Sequence, residues 1–320
     1  MPYIKATEDL FRQQLLSWEQ AGNNYKALEG VVVKEVLVDG FPFKVQFNPA
    51  RIISSAAKVD TKSIQERKCF LCAANRPAVQ KGVDYFCGND RVNPYTILVN
   101  PFPIFPKHLT IPMIAHTDQT ILGRFDTMLD LAAKLPGYTL FYNGPKCGAS
   151  APDHFHFQAG NRGFLPLENH QESLGRKLLY KSDTTSFYMA TKALNGLFVI
   201  ESSDILEATE LFNTIYSLLD IKEGEVEPMM NILCWHNESR WSIALFIRKK
   251  HRPSHYFAEG EDNILISPAS VDLGGVFITP LEKDFVKMTS KVISDILAEV
   301  CISFEEAASI AQIIKNKLQR

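Results

Sequence analysis

The stretch NGPKCGASAPDHFHFQAG, residues 143–160, decides the fold expected for this chain. Its second part alternates polar and aromatic residues, which predicts a β-strand beginning at His154. Because successive side chains of a strand point to opposite faces, we expect His154, His156 and Gln158 on one face and the intervening phenylalanines on the other. The sequence therefore predicts a sheet surface that carries two imidazoles and an amide.

The first part of the same stretch is a loop of small residues. Gly144, Gly148 and Ser150 allow backbone N–H groups to approach phosphate oxygens, and Lys146 adds a positive charge. We therefore expect this loop to hold a phosphate beside the histidines. The alternative is that the histidines are ordinary residues on the polar face of a strand.

A second motif, Cys69-x-x-Cys72, supplies two candidate metal ligands. Two thiolates and two imidazoles make a complete Cys2His2 zinc site. A redox-active pair is the alternative, but it would be expected at a helix start within a thioredoxin-like βαβ pattern, which these residues do not show. Six cysteines among 320 residues do not suggest a disulfide framework, so we expect a cytoplasmic protein with reduced thiols.

Composition argues against two classes of partner. The formal net charge is −2 and no block of like charge is long, so we expect no nucleic acid partner. No stretch reaches about 18 consecutive apolar residues, so we expect no membrane span.

The first residues interleave charged and apolar side chains, which predicts an amphipathic helix capped by Thr7 and ended by Gly22.

The order of periodic segments favours an α+β fold with a mainly antiparallel sheet and flanking helices. Asp39-Gly40 predicts a tight hairpin between two strands. The remaining predicted elements are strands at 95–100, 109–112, 138–143, 154–158, 229–235 and 241–248 and near 264 and 276, and helices at 117–135, 206–219 and twice near the C-terminus. We expect two related halves, residues 1–195 as the catalytic half and 196–320 completing the nucleotide site.

The cysteine and histidine motifs, in this order, resemble those of the transferase branch of the histidine triad superfamily. CFLCAAN at 69–75 resembles the zinc-binding segment of galactose-1-phosphate uridylyltransferase, and His154-x-His156-x-Gln158 resembles its active-site strand. DHFHFQAGNRGFLPLE resembles a segment of GDP-hexose phosphorylases, and GASAP resembles diadenosine tetraphosphate phosphorylases. The resemblance is strong over about residues 65–168, weak in the second half and absent from the first 30 residues.

This resemblance implies a structural zinc site with four ligands: Cys69, Cys72, His116 and His154. His108 is the alternative to His116 as the third ligand, although its position resembles a turn residue that precedes a strand. His156 is implied as the nucleophile and Gln158 as a group that bonds a phosphate oxygen.

The resemblance also implies contacts to the substrate. Asn93 or Asn100 is expected near the ribose or base, unless each is simply a turn asparagine beside proline. Arg252, in the cationic run 248–252, is expected to close over phosphates, unless that run is a solvated strand end.

The expected activity is transfer of a nucleotidyl group from a nucleoside diphosphate hexose to phosphate or a sugar phosphate, through a bond to His156. Gln158 favours transfer, because histidine triad hydrolases carry a third histidine there that can protonate a leaving group. The alternatives are a dinucleoside polyphosphate phosphorylase, a histidine triad hydrolase and a non-catalytic, zinc-stabilised nucleotide sensor. Phe155 replaces the proline of the uridylyltransferase, so the motif does not define the substrate. A homodimer is a further expectation.

Overall fold

The computed structural model describes residues 2–52, 60–87 and 94–318. Among them the helices are α1 (Pro2–Ser17), α2 (Glu19–Leu28), α3 (Thr61–Glu66), α4 (Phe125–Lys134), α5 (Pro166–Asn169), α6 (Ile205–Tyr216), α7 (Ser254–Phe257), α8 (Ser270–Leu273), α9 (Glu282–Lys287), α10 (Ser290–Val300) and α11 (Phe304–Leu318). The strands are β1 (Val32–Val38), β2 (Phe41–Phe47), β3 (Gly82–Tyr85), β4 (Tyr95–Val99), β5 (His108–Pro112), β6 (Tyr138–Asn143), β7 (His156–Asn161), β8 (Lys177–Lys181), β9 (Thr185–Met189), β10 (Leu197–Ser202), β11 (Met230–Asn237), β12 (Arg240–Ile247) and β13 (Val276–Thr279). In this part of the chain no helix is long and apolar enough to cross a bilayer.

The described strands form two sheets. The large sheet has the order β3-β4-β5-β7-β6-β11-β12-β10-β9-β8 and is antiparallel throughout. The small sheet has the order β1-β2-β13, in which β13 runs parallel to β2. The predicted α+β fold with a mainly antiparallel sheet is confirmed.

Two groups of strands meet in the middle of the large sheet. Strands β3 to β7 form one group, β8 to β12 form the other, and β6 joins β11 across the seam. Strands β8 and β9 precede residue 195 in the chain but lie at the outer edge of the second group. Because hydrogen bonding is continuous across the seam, the division at residue 195 stays a prediction.

The large sheet buries side chains on both faces. Phe155 and Phe157 belong to one core cluster, with residues of α1, α4 and α6. Phe141 belongs to the other, with residues of the small sheet and α10. His156 and Gln158 lie on the Phe141 side, where the two layers leave a cavity between them. Alternation along β7 therefore separates the polar side chains from the phenylalanines, as predicted.

The hairpin at residues 39 and 40 is confirmed. Asp39 and Gly40 both have positive φ, 49° and 82°. Two successive residues in the left-handed region make the turn whose twist matches that of the flanking strands.

The N-terminal helix differs from its prediction. Thr7 lies buried inside α1, which begins at Pro2, and α2 continues past Gly22 to Leu28. The helical path breaks instead at Trp18, whose backbone is extended. A Cβ at Gly22 would lie 2.6 Å from the Leu15 carbonyl oxygen, so glycine here permits close packing of the two helices. Tertiary packing therefore overrides the local cap and stop signals.

Two other predicted elements are wrong. The helix expected from residue 117 begins only at Phe125, because the Gln119 side chain bonds strand backbone and Gly123 is left-handed with φ 74°. No strand forms near residue 264. Ile264 and Ile266 are buried in irregular backbone against the second cluster, so apolar spacing there reflects packing.

Candidate active site

His156 opens β7 and lines the cavity, whereas His154 lies in the turn before the strand, which corrects the predicted strand start. The His156 Nδ1–H donates to the His154 carbonyl oxygen at 2.9 Å. Because a carbonyl only accepts, Nδ1 carries the proton and Nε2 keeps a lone pair. Burial lowers the pKa of His156 to about 4, so the ring is neutral near pH 7. A neutral imidazole held in one tautomer is the form that attacks phosphorus.

A buried glutamine fixes the backbone of His156. Gln119 accepts the His156 N–H at 2.8 Å and donates to the carbonyl oxygens of His156 and Asn143, each at 3.0 Å. Sequence reasoning missed this residue, because a single glutamine in a loop carries no motif.

Gln158 is oriented by His108. His108 Nδ1 accepts the Ile104 N–H at 3.3 Å, so its proton lies on Nε2, which donates to Gln158 Oε1 at 3.1 Å. With its oxygen occupied, Gln158 turns its NH2 group toward the cavity. His108 is therefore not one of the candidate metal ligands. It lies in β5, whereas the sequence predicted a turn before the strand. Burial lowers the pKa of His108 to about 3, which keeps this arrangement neutral near pH 7.

Replacing His108 with phenylalanine should lower kcat/KM about tenfold, because the Gln158 amide is then free to present its oxygen to a phosphate. Steady-state kinetics measures kcat/KM of each variant, and thermal unfolding shows whether each variant is folded. His170→Phe, at an exposed histidine outside the cavity wall, is the control. Unchanged kinetics in a folded His108→Phe protein would show that the amide needs no such partner.

The four residues implied as zinc ligands lie together. The candidate ligand atoms of Cys69, Cys72, His116 and His154 all lie within 4.8 Å of one another. His154 Nδ1 lies 3.3 Å from Cys69 Sγ and 3.5 Å from Cys72 Sγ, and His116 Nδ1 lies 3.2 Å from Cys72 Sγ. This cluster could hold a metal ion.

The surroundings of this cluster suit a cation. Burial raises the pKa of the Cys69 thiol to about 11, so a nearby positive charge is needed for the thiolate to form. His154 Nε2–H donates to the Met113 carbonyl oxygen at 2.7 Å, which turns Nδ1 toward the sulfurs. The His154 backbone oxygen in turn accepts from His156, so His154 both belongs to the cysteine and histidine cluster and contacts the cavity histidine.

The small-residue loop lines the same cavity as His156. Gly148, Ala149 and Ser150 line the cavity. Gly148 has φ 93°, and a Cβ there would lie 2.5 Å from the Ala269 Cβ, so only glycine fits. Lys146 is half-buried outside the lining residues, and its charge contributes to lowering the pKa of His251, after burial and two arginines.

A buried guanidinium stands behind this loop. Arg248 is 3% exposed, and its N–H groups donate to the Asn231 side-chain oxygen at 2.6 Å and to backbone carbonyl oxygens. These acceptors are neutral, and the guanidinium lies behind the cavity wall, not among its lining residues. Asn231 also donates to Asn143 at 2.9 Å and to the Cys147 carbonyl oxygen at 2.8 Å, which ties the loop to β11.

Glu227 anchors the segment that carries Gln119. Its carboxyl accepts the Tyr142 hydroxyl at 2.5 Å and the Ile121 N–H at 2.8 Å. Burial raises the pKa of Glu227 to about 7, above the 4.5 of an unperturbed carboxyl. Its stabilising contribution is therefore complete below about pH 4.5 and is lost as pH rises through 7.

The free energy of unfolding of the native protein should thus fall relative to that of Glu227→Gln by about 2 kcal/mol between pH 5 and 8. Urea unfolding at three pH values measures this difference. Glu223→Gln, at an exposed position, should follow the native curve. Parallel curves for Glu227→Gln and the native protein would contradict the assignment.

The cavity has a volume of about 450 Å³, within the range of small-molecule sites. It brings together most of the predicted site residues: Asn100, Gly148, Ser150, His156, Gln158 and Arg252. Asn93 lies outside the described residues. The Asn100 side chain donates to the Thr110 hydroxyl at 2.9 Å and accepts the Phe102 N–H at 2.9 Å. Asn100 therefore stabilises the turn and also lines the cavity. Arg252 packs 4.1 Å over the Tyr256 ring and donates to Ser267 at 3.2 Å.

Two charged residues of the wall were missed. Arg51 donates to the Phe102 carbonyl oxygen at 2.5 Å, and Asp272 accepts the N–H groups of Ala269 and Ile278. Burial lowers the pKa of Arg51 to about 10 and raises that of Asp272 to about 6. They lie far apart in the chain, and no motif joins them.

Family models match both parts of the chain. Residues 10–161 match a family model described as a domain of unknown function (DUF4922), and residues 188–320 match one described as GDPGP1-like, C-terminal domain. No curated protein matches the sequence.

Solved structures show the same fold. The yeast Ap4A phosphorylase Apa2 superposes with a TM-score of 0.58 at 15% identity, over 89% of this chain and 94% of the yeast chain. Its complex with Ap4A gives a TM-score of 0.55 at 16% identity, over 90% and 97%. The C-terminal part of the chain therefore matches a GDPGP1-like domain, and the chain as a whole has the fold of the yeast phosphorylase.

Proposed function

We propose that this protein is a nucleotidyl phosphorylase that acts through a nucleotidyl-His156 intermediate. The observation that carries the proposal is the neutral His156 ring, held in one tautomer with Nε2 unprotonated in a cavity lined by phosphate-binding groups. The shared fold with a yeast phosphorylase and the GDPGP1-like domain support it.

The reaction takes two displacements at one phosphorus. His156 Nε2 attacks the α-phosphorus of the donor, the bond to the bridging oxygen breaks, and the leaving phosphate group carries away the electron pair. An oxygen of inorganic phosphate then attacks the same phosphorus, breaks the P–N bond and returns the electron pair to Nε2. The Gln158 NH2 group, the loop N–H groups and the Arg248 charge stabilise the negative oxygens in both steps.

The donor we propose is a nucleoside diphosphate hexose. The GDPGP1-like domain over residues 188–320 favours this class. Dinucleoside polyphosphates are the second candidate, because the yeast enzyme with this fold is an Ap4A phosphorylase solved in complex with Ap4A. A phosphate-type acceptor, a cytoplasmic location and a homodimer are further proposals from the sequence.

We also propose that the cysteine and histidine cluster holds zinc. A tetrahedral zinc ion with Zn–S about 2.3 Å and Zn–N about 2.0 Å separates sulfur from nitrogen by about 3.5 Å. The closest sulfur–nitrogen separations in the cluster are 3.2, 3.3 and 3.5 Å, so the residues fit. When bound, the ion would stabilise the turn that carries His154, and with it the carbonyl that orients His156.

Product analysis tests the activity. Purified protein is incubated with GDP-hexoses, UDP-hexoses, Ap4A and Ap3A, each with and without inorganic phosphate. We expect nucleoside diphosphate and hexose 1-phosphate to form from a nucleotide sugar only when phosphate is present. Equal cleavage without phosphate would identify a hydrolase, and binding without cleavage would identify a nucleotide sensor.

A further inference from the structure

Part of the cavity wall consists of aromatic and apolar side chains from separate segments. The helical break between α1 and α2 supplies Trp18, the cysteine loop supplies Phe70, and the turn after β4 supplies Phe102. Further apolar members of this wall are Leu71, Pro77, Leu98 and Pro101. The same cavity is also lined by the small-residue loop and by His251 and Arg252 of the cationic run.

Trp18 has no evident role in the two large core clusters. It is only 6% exposed but belongs to neither cluster. Among the described residues its indole N–H has no hydrogen-bond partner and its ring stacks on no other aromatic ring. The part of the ring that stays exposed lies on the cavity wall, where a planar ligand can contact it.

Phe70 presents a second such ring. It lies between Cys69 and Cys72, is 48% exposed and lines the cavity. The Arg67 guanidinium lies 4.9 Å from its ring centre, and in the described part of the chain no aromatic ring stacks on it.

Gln80 adds a polar group to the same wall. Its NH2 group donates to the Val99 carbonyl oxygen at 3.2 Å, which leaves Oε1 as an acceptor at the cavity. An acceptor beside aromatic walls matches the amino or ring N–H group on the edge of a nucleobase.

We propose that Trp18, Phe70 and Gln80 form the binding slot for the purine base of the nucleotidyl group. The inference rests on the proposed function, because it identifies the base end of the same cavity. A purine offers two fused rings for stacking and a donor edge for the Gln80 oxygen. The pair of helices α1 and α2 thus selects the nucleotide through Trp18, the residue between them. These helices lie outside the segments that resemble the known family.

Two substitutions of Trp18 separate stacking from simple packing. Trp18→Phe keeps an aromatic face, whereas Trp18→Leu keeps only apolar bulk. By calorimetry, Trp18→Leu should weaken binding of GMP and AMP about tenfold, and Trp18→Phe should bind within about twofold of the native protein. Equal losses in both variants, or none in Trp18→Leu, would overturn the slot.

Fluorescence gives an independent readout. Of the three tryptophans, Trp235 is buried in the core and the Trp241 indole donates to the Leu129 carbonyl oxygen, so Trp18 is the one beside the ligand. GMP should quench emission of the native protein but not of Trp18→Phe, while ribose 5-phosphate at the same concentration should quench neither. Emission unchanged by saturating GMP would overturn the slot.

Phe70→Leu tests the second wall, with Phe257→Leu as a matched control. Phe257 is 66% exposed and lies outside the cavity wall. GMP affinity should fall severalfold in Phe70→Leu and stay constant in Phe257→Leu. Failure of the slot leaves phosphate-dependent cleavage intact, whereas failure of the proposed function leaves purine binding and quenching without cleavage, so the two results are distinguishable.

Discussion

His156→Ala should lower turnover by about four orders of magnitude or more, because the variant lacks the nucleophile of the two-step transfer. Metal content and melting temperature should stay near native values. His154→Ala is the matched comparison: it should lose metal and thermal stability together. If the two variants behave alike, the division of roles between these histidines is wrong.

The same residue should carry the covalent intermediate. With donor supplied and phosphate withheld, intact mass should rise by one nucleoside monophosphate, and mild acid should remove it because phosphoramidates are acid-labile. Peptide mapping should place the adduct on His156, and His156→Ala should show none. Inversion at a chiral phosphorus, with no adduct in active native protein, would indicate direct attack by phosphate and remove His156 from this role.

Cys72→Ser should release the metal and lower the free energy of unfolding by about 3 kcal/mol or more, because ligation of a structural ion contributes directly to folding. Elemental analysis and urea unfolding measure the two effects. Cys87→Ser, at a half-buried cysteine outside the cluster, should change neither. Folded, active native protein without any metal would contradict the zinc assignment.

Local periodicity and motif spacing account for what the sequence predicted. The two-residue period places His156 and Gln158 together, and the Asp39-Gly40 pair defines a turn, because each depends on neighbouring residues only. The cysteine and histidine motifs resemble those of a known family. That resemblance predicted that Cys69 and His116 lie in one site, although they are distant in sequence.

Contacts between distant segments account for what the sequence did not predict. Gln119 holds His156, and His108 orients Gln158, through hydrogen bonds that a linear pattern does not encode. Trp18 ends a helix because both flanking segments bury residues against the domain, whereas Thr7 and Gly22 gave contrary local signals. Local rules therefore predicted the reactive strand but not the residues that orient its side chains.

The seam between β6 and β11 determines when the site can form during folding. Asn143 and Asn231, which form a hydrogen bond across it, are 88 residues apart in sequence. Arg248, which donates to Asn231, lies a further 17 residues along the chain. Closing so long a loop is entropically costly and slow, so we expect the cavity to assemble late. A nascent chain that ends before β11 would carry His156 without the residues that support its phosphate loop. Nucleotide capture should thus require synthesis of the chain at least through β13, whose Ile278 lines the cavity.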